Sequence, residues 1–122
     1  MKKIIITGGI GYIGTELCKL YAKESHLNDI TVIDNRFLSE RVKQLQDWGI
    51  KFIHGDILDE KLLSTVLNDC DIVYHLAGIT DVARITSESN EDCDKKITDV
   101  GILGTKNIIN NIPDKCKIIF AS

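Results

Sequence analysis

The stretch Thr7-Gly8-Gly9-Ile10-Gly11-Tyr12-Ile13-Gly14, directly after the apolar run Ile4-Ile5-Ile6, has the residue types and spacing to seat an anion. Glycines at this spacing, between a buried strand and a helix, each have a physical task. Gly8 permits a tight turn off the strand where a Cβ would clash. Gly11 lets the backbone approach a pyrophosphate, and Gly14 lets the helix that follows pack closely on the sheet. The first N–H groups of that helix lack intrahelical acceptors, and the helix dipole adds partial positive charge there. The phosphates of a dinucleotide suit such a place. A second chemical group stands at the right distance. Asp34 closes a second apolar strand, Ile30-Thr31-Val32-Ile33, twenty positions after Gly14. A carboxylate there can accept hydrogen bonds from ribose hydroxyls.

The elements that must position these groups alternate along the chain. Strands are expected at 3–7, 30–34, 51–54, 71–76 and 116–121. Helices are expected at 11–24, 39–48, 59–68 and 94–111. In the first helix Leu17, Leu20 and Tyr21 share one face. Ser39 and Asp59 read as N-caps, Gly49 as the stop of the second helix, and Pro113 as the end of the fourth. The strands are short, apolar on both faces and separated by helices. That pattern predicts an α/β fold: a Rossmann-type doubly wound parallel sheet of five strands in the order 3-2-1-4-5. With 122 residues the chain forms one domain and buries roughly two thirds of its unfolded surface. Nothing follows the fifth strand to cover its edge, so the sheet is read as incomplete at its C-terminal side. An open edge invites pairing, and a homodimer is one outcome.

Composition excludes several classes. The apolar share of 43%, the charged share of 27% and the net charge of −3 fit an ordinary globular chain. No basic stripe suggests nucleic acid, and no apolar run approaches the ~20 residues that span a bilayer. Lys2-Lys3 leads into three isoleucines and then glycines, which is no signal peptide. Cys18, Cys70, Cys93 and Cys116 are scattered without a C-x-x-C pair, so zinc and thioredoxin-like readings fail. They are read as reduced thiols, and the expected location is cytoplasmic.

Ordered segments along the whole chain resemble the extended short-chain dehydrogenase/reductase family, the NAD-dependent epimerase/dehydratase group. They are the glycine turn at 7–14, Asp34-Asn35, His54-Gly55-Asp56-Ile57-Leu58-Asp59 and Val73-Tyr74-His75-Leu76-Ala77-Gly78. Gly104-Thr105-Lys106-Asn107 and Ile119-Phe120-Ala121-Ser122 also match. The resemblance implies that Gly8, Gly11, Tyr12, Ile13 and Gly14 cradle a pyrophosphate, and that Asp34 and Asn35 face the adenosine ribose. It implies Asp56 on the adenine amino group, Ile57 packed on that ring, and Leu76, Ala77 and Gly78 along the ribose and nicotinamide. NAD is the implied cofactor, with NADP disfavoured because Asp34 repels a 2′-phosphate, although Arg36 stands nearby.

Each of these residues also has a plainer role. Asp56 could be an ordinary turn residue. His75 is expected to be packed at a strand end rather than act as a base, and His26 and His54 to lie on the surface. Asp81 and Arg84 are either substrate contacts or solvated charges. Trp48 is read as core of the second helix, and Lys95-Lys96 as a solvated face.

The family's chemistry uses a Tyr-x-x-x-Lys pair. Tyr12, Tyr21 and Tyr74 are followed at that spacing by Glu16, Ser25 and Gly78. No catalytic residue and no metal ligand is therefore assigned. Gly101 stands where many relatives carry an asparagine, and its expected use is close helix packing. The reading is a dinucleotide-binding part, residues 1–122, of a nucleotide-sugar epimerase/dehydratase-like oxidoreductase without its substrate domain. The sugar nucleotide would be a partner only of a full-length form. A stand-alone, non-catalytic dinucleotide-binding module is the alternative.

Overall fold

Alternation along β1 sends its isoleucines to opposite sides of the sheet, and two cores follow from that. The computed structural model describes residues 2–23, 28–77 and 91–120, with side chains from 101 onward in the last stretch. The elements are β1 (Lys2–Thr7), α1 (Tyr12–Ala22), β2 (Asn28–Asp34), α2 (Ser39–Asp47), β3 (Lys51–His54), α3 (Glu60–Val66), β4 (Ile72–His75), α4 (Glu91–Asn111) and β5 (Lys117–Phe120). All strand pairings are parallel, and the order is β3-β2-β1-β4-β5. This is the order expected from the alternating pattern.

Ile4 and Ile6 enter one core with Ile30, Val32, Cys18 of α1 and Leu45 of α2. Ile5 enters the other with Ile33, Val73, Leu63 of α3 and Ile108 of α4. Burial on both faces explains why β1 and β2 are near-continuous apolar runs rather than alternating ones. Trp48 packs against the first core, as expected, from the end of α2.

Local signals set most boundaries. The Asp59 side chain accepts from the Leu62 amide at 3.1 Å and caps α3. Gly49 has φ +76, and the Ile50 amide reaches back to the Leu45 carbonyl at 2.9 Å, a glycine-terminated helix end. Two expectations need correction. Ser39 is not the cap of α2. The Val42 amide already donates to the Leu38 carbonyl at 2.9 Å, so Leu38 holds the cap position and makes no side-chain bond. Leu20 does not share the buried face of α1 and is 65% exposed. At 100° per residue the inward stripe is Gly14, Leu17, Cys18 and Tyr21, and Leu20 falls beside it.

Candidate functional site

The carboxyl ends of β1, β2 and β4 meet around the glycine turn. Gly8 has φ +72, and a Cβ there would lie 2.8 Å from the Ala77 amide nitrogen. Only glycine lets the turn lie this close to the exit of β4. The Gly8 amide donates to the Ile33 carbonyl at 2.8 Å, which fixes the turn to β2 as well. Gly14 serves a different neighbour from the expected one. A Cβ on it would meet the Gly8 carbonyl oxygen at 2.7 Å, so at this position α1 packs on the turn itself, while its next turns pack on the sheet. Gly11 precedes α1 in extended backbone and donates to the Gly8 carbonyl at 3.1 Å. The first helical bond is that of the Thr15 amide to the Gly11 carbonyl at 2.9 Å. By helix geometry the amides of Tyr12, Ile13 and Gly14 have no intrahelical acceptor. The Tyr12 and Ile13 side chains are exposed.

Asp34 is 4% exposed, and four donors surround its carboxylate. Oδ2 accepts from the Ile10 amide at 3.3 Å and from Arg36 Nη2 at 3.2 Å. Oδ1 accepts from the Arg36 amide at 3.0 Å and from Arg36 Nε at 3.2 Å. The carboxylate thus joins the glycine turn to β2 and is forked by the Arg36 guanidinium. The adjacent Asn35 carbonyl accepts from His54 Nε2 at 3.0 Å, which places the exposed His54 at the same rim.

Asp56 is exposed, and its Oδ1 accepts from the Leu58 amide at 2.9 Å, the turn role set beside its functional one. The Ile57 side chain is 5% exposed and belongs to the second core. Its side chain packs inward, against α4. A Cβ on Gly104 would collide with the end of that side chain, and Asn107 Nδ2 donates to the Ile57 carbonyl at 3.0 Å. Among the described residues nothing lies within 4 Å of a Cβ built on Gly101, and the close packing expected of it is seen at Gly104.

A buried hydrogen-bond chain sets the β4 side. Thr7 Oγ1 accepts from the Leu76 and Ala77 amides at 3.1 and 3.2 Å and lies 2.8 Å from His75 Nδ1. His75 Nε2 is 3.1 Å from Thr105 Oγ1, whose proton goes to the Gly101 carbonyl at 2.6 Å. Thr105 must then accept from His75. The proton sits on Nε2, Nδ1 is the acceptor, and Thr7 donates to it. Burial lowers the His75 pKa and keeps the ring neutral. Leu76 is buried and Ala77 partly so. His75 is thus a packed, polar strand end, as expected of it. Gly78, Asp81, Arg84 and His26 lie outside the described residues, as do the side chains of Lys95 and Lys96.

Sequence reasoning missed Thr7, Thr105 and Asn107 as individual contributors, and took Arg36 only as a neighbouring charge. Helical spacing offered a clue for one of them. Gly104, Asn107 and the buried Ile108 recur at three and four residues, which points Asn107 toward the sheet.

The model of the 3-beta hydroxysteroid dehydrogenase/isomerase family matches residues 5–120. The chain is 34% identical to UDP-glucose 4-epimerase of Mycoplasma genitalium over 98% of its own length and 35% of that protein's. It is 32% identical to UDP-N-acetyl-alpha-D-glucosaminuronate decarboxylase of Bacillus cytotoxicus, over 99% and 36%. The chain thus spans about a third of the length of these curated relatives. Its fold is similar to that of UDP-glucose-4-epimerase from Stenotrophomonas maltophila, crystallised with bound NAD and formylated UDP-arabinopyranose. The TM-score is 0.77 at 20% identity, over all of this chain and 37% of that one. The dTDP-glucose 4,6-dehydratase of Bacillus anthracis, in complex with NAD, gives a TM-score of 0.72 at 20% identity, over 100% and 37%.

Proposed function

The chain belongs to the 3-beta hydroxysteroid dehydrogenase/isomerase family, and from that premise we propose that it is the NAD-binding part of a nucleotide-sugar epimerase/dehydratase-like oxidoreductase. The observation that carries this reading is the buried Asp34 carboxylate at the end of β2, hydrogen-bonded to the Ile10 amide of the glycine turn. A helix N-terminus behind such a turn suits a pyrophosphate, and the adjoining carboxylate suits ribose hydroxyls. The residues present fit the cofactor: Gly8 and Gly14 stand where a Cβ would strike backbone, so the turn cannot swell into the seat.

Gly8, Gly11, Tyr12, Ile13 and Gly14 would hold the pyrophosphate, and Asp34 and Asn35 the adenosine ribose. Asp56 and the Ile57 backbone would meet the adenine. Leu76, Ala77 and Gly78 would line the nicotinamide side. When bound, NAD supplies a hydride acceptor and donor. The chain's own part is placement. Ribose hydroxyls would take the positions that the Arg36 guanidinium holds on Asp34. The negative charge of Asp34 disfavours a 2′-phosphate and hence NADP.

Tyr-x-x-x-Lys does not occur in the 122 residues, so we assign no turnover to this chain alone. A nucleotide sugar would be the substrate of a longer protein that carries that pair. Among the described residues β5 is an outer strand of the sheet, and a second copy of the chain pairing there would give a homodimer. Calorimetric titration with NAD and NADP tests the site. Wild type should prefer NAD, and Asp34→Ala should weaken NAD by at least about fivefold, equivalent to ~1 kcal/mol. Equal affinity of the two proteins for NAD would overturn the reading.

A further inference from the structure

Two thiols meet at the end of the sheet opposite the glycine turn. Cys70 precedes β4 and Cys116 precedes β5, and these strands are parallel neighbours. Their Sγ atoms are 3.3 Å apart across 46 residues of sequence. The strand ends are held in register by the Lys117 amide, which donates to the Asp71 carbonyl at 3.0 Å.

The flanking charges oppose one another: Asp69-Cys70-Asp71 faces Lys115-Cys116-Lys117. Lys115 Nζ reaches Asp69 Oδ1 at 3.3 Å and Asp71 Oδ1 at 3.5 Å. Asp71 Oδ2 also accepts from the Lys3 amide at 2.9 Å, and Lys3 Nζ donates to the Asn68 carbonyl at 2.7 Å. The turn that carries Cys70 is therefore anchored to both β1 and the start of β5.

We propose that Cys70 and Cys116 are a reversible redox pair that closes to a disulfide and clamps the edge strand β5 to β4. An S–S bond is about 2.05 Å long, so closure moves the sulfurs together by about 1.2 Å. The oxidant is a low-molecular-weight disulfide, RSSR. Cys116 is the more accessible thiol and reacts first. Its thiolate attacks one sulfur of RSSR, the S–S bond breaks, and RS⁻ leaves to take up a proton. Cys70 then gives its proton to water and attacks Cys116 Sγ, expelling the second RS⁻, which is protonated in turn. Two protein thiols are oxidised to one disulfide, and one RSSR is reduced to two RSH. Burial, reinforced by the hydrogen bond with Cys116, raises the Cys70 pKa and makes it the second, intramolecular, attacker. Cys18 is fully buried, with its thiol pushed up to about 12, and does not compete.

The closed ring contains β4, its exit at Leu76 and Ala77, and α4. Oxidation therefore tightens this half of the sheet from its far end.

The full chain treated with oxidised glutathione tests this without any cofactor. The expected product is about 2 Da lighter than the reduced chain, maps to a Cys70–Cys116 peptide pair, and reverts with dithiothreitol. Its Tm should rise by about 5–10 °C. Cys70→Ser should stop at a mixed disulfide on Cys116, and Cys116→Ser should form no intramolecular bridge. A stable mixed disulfide on wild type, a bridge through Cys18 or Cys93, or an unchanged Tm would each overturn the proposal.

Discussion

The two ends of the sheet are joined by polar contacts of similar length and opposite character. At the carboxyl end Thr7, Asp34 and His75 are at most 5% exposed, and their partners are mostly backbone amides and hydroxyls. At the amino end Lys115, Asp69 and Asp71 have side chains 55%, 81% and 32% exposed. Water can replace any partner lost at the amino end. It cannot replace a partner of the buried Thr7 or His75 in the same way, and a partner lost there leaves a buried group unsatisfied. The chain therefore holds its candidate site by groups that cannot be removed singly, and its far end by charges that can.

The largest effect should come from Gly8→Val. It places a β-branched side chain at φ +72 and drives a Cβ into the Ala77 backbone. We expect a loss of at least about 3 kcal/mol in urea unfolding, or no folded protein at all. A small effect would mean that the turn relaxes away from β4 and that the carboxyl end is less rigid than its contacts imply.

A pH series sharpens the contrast at His75. Its folded pKa is lowered from 6.5 by burial, so the unfolded chain binds the proton more readily than the folded one. Stability from this group is therefore complete above about 6.5 and declines as pH falls below that value toward the lowered one. Tm measured against pH should show this decline in wild type and less of it in His75→Gln, with His26 and His54 present in both.

The smallest effect should be that of Lys115→Ala. Its pKa is raised, first by the hydrogen bond with Asp69, yet the side chain is more than half exposed and its pairs are screened. No shift of the urea midpoint should be resolved. A clear loss would show that the amino end also depends on its ion pairs.

Much of this architecture is legible in the sequence. The Asp59 cap, the Gly49 stop and the glycine turn follow from patterns spanning a few residues, and the strand order from the alternation of strands and helices with right-handed crossovers. Less legible were the features that depend on what packs alongside. The rotational position of Leu20 on α1 put it in water, and the Ile57 side chain went into the core because Gly104 of α4 leaves space for it. The Leu38 carbonyl, not the Ser39 hydroxyl, began α2 because backbone geometry settled that end first.

The amino-acid sequence by itself determined a parallel sheet with a glycine turn at β1 and a carboxylate at the end of β2, because period, turn chemistry and capping act between near neighbours. Tertiary structure decided that Thr7 orders His75 across 68 residues, that His75 meets Thr105 across 30, and that Cys70 faces Cys116 across 46. Such meetings depend on which strands become neighbours and which helix faces turn inward. Burial and register fix those only when the whole chain has packed.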